Sequence, residues 1–167
     1  MNPLPPLAVD TLAFRQALSQ FAAGVTVVTT RCADGSPRGL TVTAFCSVSL
    51  DPPLVLVSID NRSEAHDGFA AGTFAVSVLA EGQEEVSRRF AVPGPEKFAA
   101  IECVPGTSGA LLVPEALAHL QCRVVSVVPG GDHTIYLGQV EEAHVRAGKP
   151  LVYHGRGYRR LAEDEQP

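Results

Sequence analysis

The stretch GLTVTAFCSVSLDPPLVLVSI, Gly39 to Ile59, changes character as it runs. It begins with the alternation of a strand and passes through the small polar residues Thr41, Thr43, Ser47 and Ser49. It then meets Pro52-Pro53 and ends in the apolar run Leu54–Ile59. Alternation with a period of two marks a pleated strand with one face turned inward. The final run has apolar residues at adjacent as well as alternate positions, so it predicts a central strand covered on both faces, in a barrel or beneath a helix. What needs explaining is the cluster of hydroxyls between two segments suited to a core.

Upstream, Asp10 is placed to cap a helix in which Phe14, Leu18 and Phe21 share one face, with Gly24 as its stop; such a helix should cover something apolar. Val25–Thr30 is β-branched throughout, and the Asp34-Gly35 turn signal precedes a second strand from Arg38, so a hairpin follows. Downstream, Ser63 as N-cap, Glu64 in the first turn and Gly72 after the end outline a second short helix. Thr73–Leu79 reads as strand and 81–89 as an exposed helix, while the breakers that follow exclude a long element. His119–Val128 and His133–Val145 form a long hairpin about Pro129-Gly130-Gly131-Asp132, and a small hairpin turns at Gly155 and Gly157. The reading is one mainly β domain over 10–162 with a few short helices. Terminal tails occupy 1–9 and 163–167, the acidic end being expected to be disordered. Six or more strands with short connections argue for an antiparallel barrel, because closure removes exposed edges.

Composition narrows the function. The chain has 167 residues, enough for one domain that buries about two-thirds of its unfolded surface. Thirteen basic against eighteen acidic residues give a net charge of -5, and no basic run exceeds a pair, which argues against a nucleic-acid partner. No apolar run approaches a membrane span, and MNPLPPLAVD lacks the pattern of an export signal, so a cytoplasmic protein is expected. Cys32, Cys46, Cys103 and Cys122 form no C-x-x-C pair and are expected as buried or half-buried free thiols. The histidines show no metal-ligand spacing, so no metal is expected. P-loop, G-x-G-x-x-G and G-x-S-x-G patterns are absent, which removes a Rossmann domain and leaves hydrolase chemistry without an anchor. Asn61-Arg62-Ser63 matches a glycosylation acceptor, a pattern frequent by chance and discounted without an export signal.

Read residue by residue, the polar groups keep two meanings. Alternating Thr and Ser fit a solvent face as well as a ligand edge. Arg62-Ser63 fits a surface charge and N-cap, or a phosphate site with a cation, a hydroxyl and free N–H groups. Arg89-Phe90 fits an exposed cation beside a core ring. His133, after a glycine-rich turn, fits a solvated imidazole, and Tyr158 an aromatic core or dimer contact.

Taken in order, FAAGVTVVTT, the Gly39–Ile59 stretch, FAVSVLAEGQEEVSRRFA, GGDHTIYLGQVEE and PLVYHGRGYRRL resemble the short-chain flavin reductases, from about Phe14 to Leu161. These are the reductase components of two-component flavin-dependent monooxygenases. The resemblance implies an FMN-binding split barrel and an NAD(P)H:flavin oxidoreductase, in which hydride passes from nicotinamide C4 to flavin N5 without a catalytic protein residue. It implies that Thr41, Val42, Thr43 and Ala44 line the flavin ring edge, that Ser47 and Ser49 meet the ribityl and phosphate side, and that Arg62 and Ser63 take the phosphate. Arg89 and Phe90 also meet the flavin, and His133 and Tyr158 border the nicotinamide. Cys46 is left as a packing residue, and His66, His119, His144 and His154 receive no role. The implied partners are a second copy of the chain in a homodimer and a larger monooxygenase. FMN or FAD turns on the room after Ser63 and in the Pro93–Gly109 excursion, and NADH or NADPH on the pocket around the ribose, with Arg15, Arg88, Arg156, Arg159 and Arg160 as candidate neighbours. A flavin-binding electron carrier or other ligand-binding barrel is the rival, and would have no use for the GGDH and GRGY segments.

Overall fold

The computed structural model describes residues 9–162. The expected tails lie, but for Val9, outside the described residues. In chain order the elements are α1 (Thr11–Leu18), β1 (Ala23–Gly24), β2 (Thr26–Arg31), β3 (Pro37–Val42), β4 (Phe45–Leu50) and β5 (Pro53–Asp60). Then come α2 (His66–Phe69), β6 (Thr73–Val78), α3 (Glu84–Phe90), α4 (Glu96–Ala100), β7 (Val104–Pro105) and β8 (Leu111–Leu112). The chain closes with β9 (Ala118–Gly130), β10 (His133–Val145), β11 (Val152–His154) and β12 (Gly157–Arg159).

Three hairpins build the main sheet. β2 and β3 turn at Gly35, whose φ of +83° suits glycine, while the Asp34 carboxylate accepts from the Ser36 N–H at 2.8 Å. β4 pairs with β5, and the ladder slips between Ser47 and Ser49. β9 and β10 pair from Ala118↔Val145 to Gly130↔His133, so only Gly131-Asp132 forms the turn; Pro129 and Gly130 stay in the ladder. With β6 added, the order is β3-β2-β6-β9-β10-β5-β4, antiparallel throughout. Seven strands do not close the expected barrel. β3 and β4 are the two edges, and although only Thr43 and Ala44 separate them, no ladder joins them. The result is a split barrel, opened where the hydroxyl-rich stretch runs.

Inside, Val28, Val57, Phe74 and Val76 form a core with Phe69 stacked on Tyr136 at 4.1 Å. A second cluster joins Val25, Leu79, Phe90, Val113 and Leu151, placing α3 against the edge formed by β2 and β3. A polar chain leaves the first core, with the Tyr136 hydroxyl 2.9 Å from His66 Nδ1 and Thr134 donating to Asn61 at 2.8 Å, so His66 has a structural place.

Several expectations change. α1 is capped by Asp10, which accepts from Ala13 N–H at 3.1 Å, but it ends at Leu18 and buries nothing: Phe14 is 54% and Phe21 77% exposed. None of its residues is buried in the described chain. β5 alternates, with Val55, Val57 and Ile59 buried and Leu54, Leu56 and Ser58 half-buried, because it lies one strand from the edge. α2 starts at His66, three residues after the expected cap, and Ser63 Oγ instead accepts from Ala65 N–H at 3.3 Å in a turn. The excursion after residue 90 contains the short helix α4 and the β7–β8 pair. Cys46 is exposed on β4, not packed.

Candidate functional site

Two adjoining hollows open beside the split. The larger, about 620 Å³, lies between β3, the turn after β5 and the segment following α3, and holds Thr41, Asp60, Arg62, Ser63, Phe90 and Lys97. The smaller, about 240 Å³, holds Thr41, Thr43, Ser87, Tyr153 and Tyr158. Thr41 and Ala91 border both.

The larger hollow carries paired charges. Asp60, at the end of β5, accepts from Arg62 Nε at 3.1 Å, Nη2 at 2.7 Å and backbone N–H at 2.9 Å. These bonds hold the Asp60 carboxyl far below the ordinary carboxylate range. The Arg62 side chain is nonetheless 87% exposed, at the mouth. At the opposite wall Lys97 is 5% exposed. Its ammonium donates to the Gly39 carbonyl at 2.9 Å and stands 3.5 Å from Glu64. Burial lowers the Lys97 pKa, and Glu64 opposes that shift. Glu64 also accepts from Gly94 N–H at 2.7 Å, the main cause of its own lowered pKa. Leu40, Phe90 and Val92 supply an apolar wall.

The smaller hollow is built by tying α3 to its neighbours. Thr41 Oγ1 donates to the Ser87 carbonyl at 2.5 Å, and the Tyr158 hydroxyl donates to Ser87 Oγ at 2.9 Å. Arg88 lies over the Tyr158 ring at 5.3 Å, and Tyr153 meets Tyr158 edge to face.

The structure thus gathers Thr41, Arg62, Ser63 and Phe90 in one hollow, and Thr41, Thr43 and Tyr158 in the other. The Val42 side chain is buried in the core, and its carbonyl accepts from Thr26 at 2.7 Å. Ala44 spends its carbonyl on Ser58 N–H. Ser47 and Ser49 stand farther along β4 and border neither hollow. Arg89 pairs with Glu85 at 3.0 Å and faces a separate hollow with Lys97. His133 is opposite Asp60 in the β10–β5 ladder, its Nδ1 2.6 Å from Asp132, and lines neither hollow with Tyr158. Asp60, Ser87 and Lys97 escaped the sequence reading, which has Glu64 only as a first-turn helix residue. The Asp-x-Arg spacing at the end of a strand could have pointed to Asp60, while Lys97 sits in a breaker-rich segment that carries no periodic signal.

Side by side, a mouth cation, a buried cation, hydroxyls and aromatic walls suit an amphipathic ligand with a planar ring and an anionic group. Among the described residues no group of three or more His, Cys, Asp or Glu is placed to hold a metal ion, and no helix is long and apolar enough to cross a membrane.

Comparison with known proteins is consistent with such a site. A family model described as "Flavin reductase like domain" matches residues 18–162. The reductase component of 4-hydroxyphenylacetate 3-monooxygenase from Thermus thermophilus is 48% identical over 151 residues, covering 89% of this chain and 95% of that protein. A flavin reductase (NADH) from Kitasatospora aureofaciens is 41% identical, covering 98% and 88%. The solved structure of the NADH:FAD oxidoreductase of Streptomyces globisporus, in complex with NAD and FAD fragments, superposes with a TM-score of 0.89 at 41% identity, covering 94% of this chain and 96% of that one.

Proposed function

The chain belongs to the flavin reductase like family, and on that premise we propose that it is an NADH-dependent flavin reductase that supplies reduced flavin to a separate monooxygenase. The observation that carries the reading is the pair of adjoining hollows. One offers Arg62, Ser63 and Lys97 for phosphate, and the other offers Thr43 and Tyr158 beside a planar ring. When bound, the flavin supplies the hydride acceptor and the nicotinamide the donor, so the protein needs no nucleophile or strong base. Its own residues do the holding. Arg62, its Nε and Nη2 held by Asp60, has its remaining guanidinium N–H groups left for an anion at the mouth. Phe90 and Leu40 exclude water from the wall. Ser87 fixes Thr41 and Tyr158 about the smaller hollow. His133 and Tyr158 are assigned to the nicotinamide, and Ser47, Ser49 and Arg89 to the outer reaches of the flavin.

We further propose a cytoplasmic homodimer. The apolar face of α1, with Leu12, Phe14 and Leu18 each more than half exposed, is the surface that a second copy covers. A monomer by light scattering, with flavin fully bound, overturns the dimer. The enzyme reading is tested by NADH oxidation without flavin, with FMN and with FAD. Saturable flavin-dependent oxidation is expected; flavin binding without oxidation makes the protein a carrier instead.

A further inference from the structure

The β10–β5 ladder ends where His133 faces Asp60. Beyond it lie two turns with no strand pairing to set one against the other: 61–65, which carries Arg62 and Ser63, and Gly131-Asp132, which leads into His133. Asn61 joins them. Its backbone N–H donates to the Asp132 carbonyl at 3.0 Å, and its side-chain amide nitrogen stands 3.5 Å from the Gly131 carbonyl. A carbonyl only accepts, so the amide nitrogen faces Gly131 and Oδ1 faces the other way, where Thr134 donates to it at 2.8 Å. His66 Nε2 lies 3.3 Å from the same oxygen and can meet it only as a donor. In the neutral ring Nδ1 is then the acceptor, and the Tyr136 hydroxyl, 2.9 Å away, donates to it. Tyr136 is buried and stacked on Phe69, so this end of the chain is anchored in the core. The His66 backbone N–H also donates to the Ser63 carbonyl at 3.1 Å, which closes the turn around Arg62 and Ser63.

We propose that Asn61 and His66 are positioning residues for hydride transfer, which hold the turn bearing Arg62 and Ser63 in fixed register with the turn leading to His133. The inference rests on the flavin reductase reading, in which the first turn serves the flavin and His133 the nicotinamide. Neither Asn61 nor His66 lines either hollow beside the split, so their work is registration and not contact with a substrate. Hydride passes only between rings held at reacting distance, and a misplacement of about 1 Å can cost about 100-fold in rate. The chain of hydrogen bonds runs one way, from Tyr136 through His66 to Asn61, so a side chain at 66 must accept at one end and donate at the other. Glutamine offers that pair. Phenylalanine keeps a ring edge-on to Tyr136 and offers neither.

The test is single-turnover bleaching of flavin by the full chain, with NADH and either FMN or FAD saturating, oxygen excluded, and the temperature well below melting. His66→Phe should slow bleaching by about ten- to hundredfold, and His66→Gln should restore most of the rate. A residue that only stabilised the fold would lower the melting temperature and leave the rate of the folded protein alone. Asn61 is exposed, so Asn61→Ala supplies the same test should His66→Phe fail to fold. The double variant should be no slower than either single one, because His66 acts through Asn61. Imidazole nitrogen NMR at about pH 8 should find the His66 proton on Nε2. An unchanged rate in folded His66→Phe or Asn61→Ala, losses that multiply in the double variant, a rate that glutamine does not restore, or the proton on Nδ1 each overturns the inference. Parent protein that binds flavin and never bleaches it defeats the reductase reading instead, a failure visible before any variant is made.

Discussion

Lys97 donates to the carbonyl of Gly39 at 2.9 Å across 58 residues of sequence, and so fastens α4 to β3 at the floor of the larger hollow. Gly39 leaves no room for a side chain there, since an added Cβ would fall 2.9 Å from the Phe90 ring and 3.0 Å from Phe98. Lys97→Met keeps the apolar stem but leaves a buried carbonyl unpaired, a loss of about 1–3 kcal/mol. Glu64, 44% exposed, can return to water. The expected result is a lower urea midpoint with an unchanged slope.

Acid should reveal the other half of that pair. Gly94 N–H and Lys97 hold the Glu64 pKa below its ordinary value. A carboxyl with a depressed folded pKa contributes stability at pH above its unfolded value, about 4.3, and loses it as pH falls through the folded value. Glu64→Gln should therefore be less stable than the parent near pH 7, and the gap should close toward pH 3. Denaturation at both pH values checks this, and a gap that widens in acid contradicts the assignment.

Gly138 sits in β10 where an added Cβ would lie 2.4 Å from Phe74 Cζ and 3.0 Å from Cys122 Cβ. Phe74 is fully buried and cannot yield. Gly138→Ala should cost about 1–3 kcal/mol by overpacking. By size scaling this lowers the melting temperature by about 2–4 °C per kcal/mol, with flavin affinity of the folded protein unchanged.

The thiols should separate by environment. Burial pushes Cys122 up to about 12 and Cys103 up to about 11, so neither offers thiolate near neutral pH. Cys46 is exposed on the β4 edge. Alkylation of the folded protein, read by peptide mass, should modify Cys46 ahead of Cys103 and leave Cys122 until unfolding.

The strands were legible because each announces itself locally: β-branched runs, Asp34-Gly35, and the long hairpin about Gly131-Asp132. The split was legible only through the family resemblance, because it depends on which edges fail to pair, a property of no single segment. α1 was legible as a helix through Asp10 and its apolar spacing, but not its exposure, since that spacing predicts a covered face and none of its residues is buried in the described chain. Of the site, Thr41, Thr43, Arg62, Ser63 and Tyr158 stood out by type and order. Lys97 and Glu64 did not, since a buried cation is recognisable only once the surrounding chain has folded over it.

The most informative kinetic comparison sets Thr43 against His133. Thr43 is exposed in the smaller hollow, and its hydroxyl has no hydrogen-bond partner among the described residues, so a ligand can claim it at no structural cost. Thr43→Val should weaken flavin binding by about three- to tenfold, the worth of one neutral hydrogen bond, with stability unchanged. His133 is assigned to the nicotinamide but stands in register with Asp60, on the side of the larger hollow. His133→Ala should raise the KM for NADH while flavin affinity holds, as for a residue that contacts only the second substrate. If flavin affinity falls instead and the KM for NADH stays put, His133 serves the phosphate side with Asp60 and Arg62, and Tyr158 is left as the nicotinamide contact. Measuring both constants for both variants separates these arrangements, because Thr43→Val moves flavin affinity in each whereas His133→Ala moves a different constant in one than in the other.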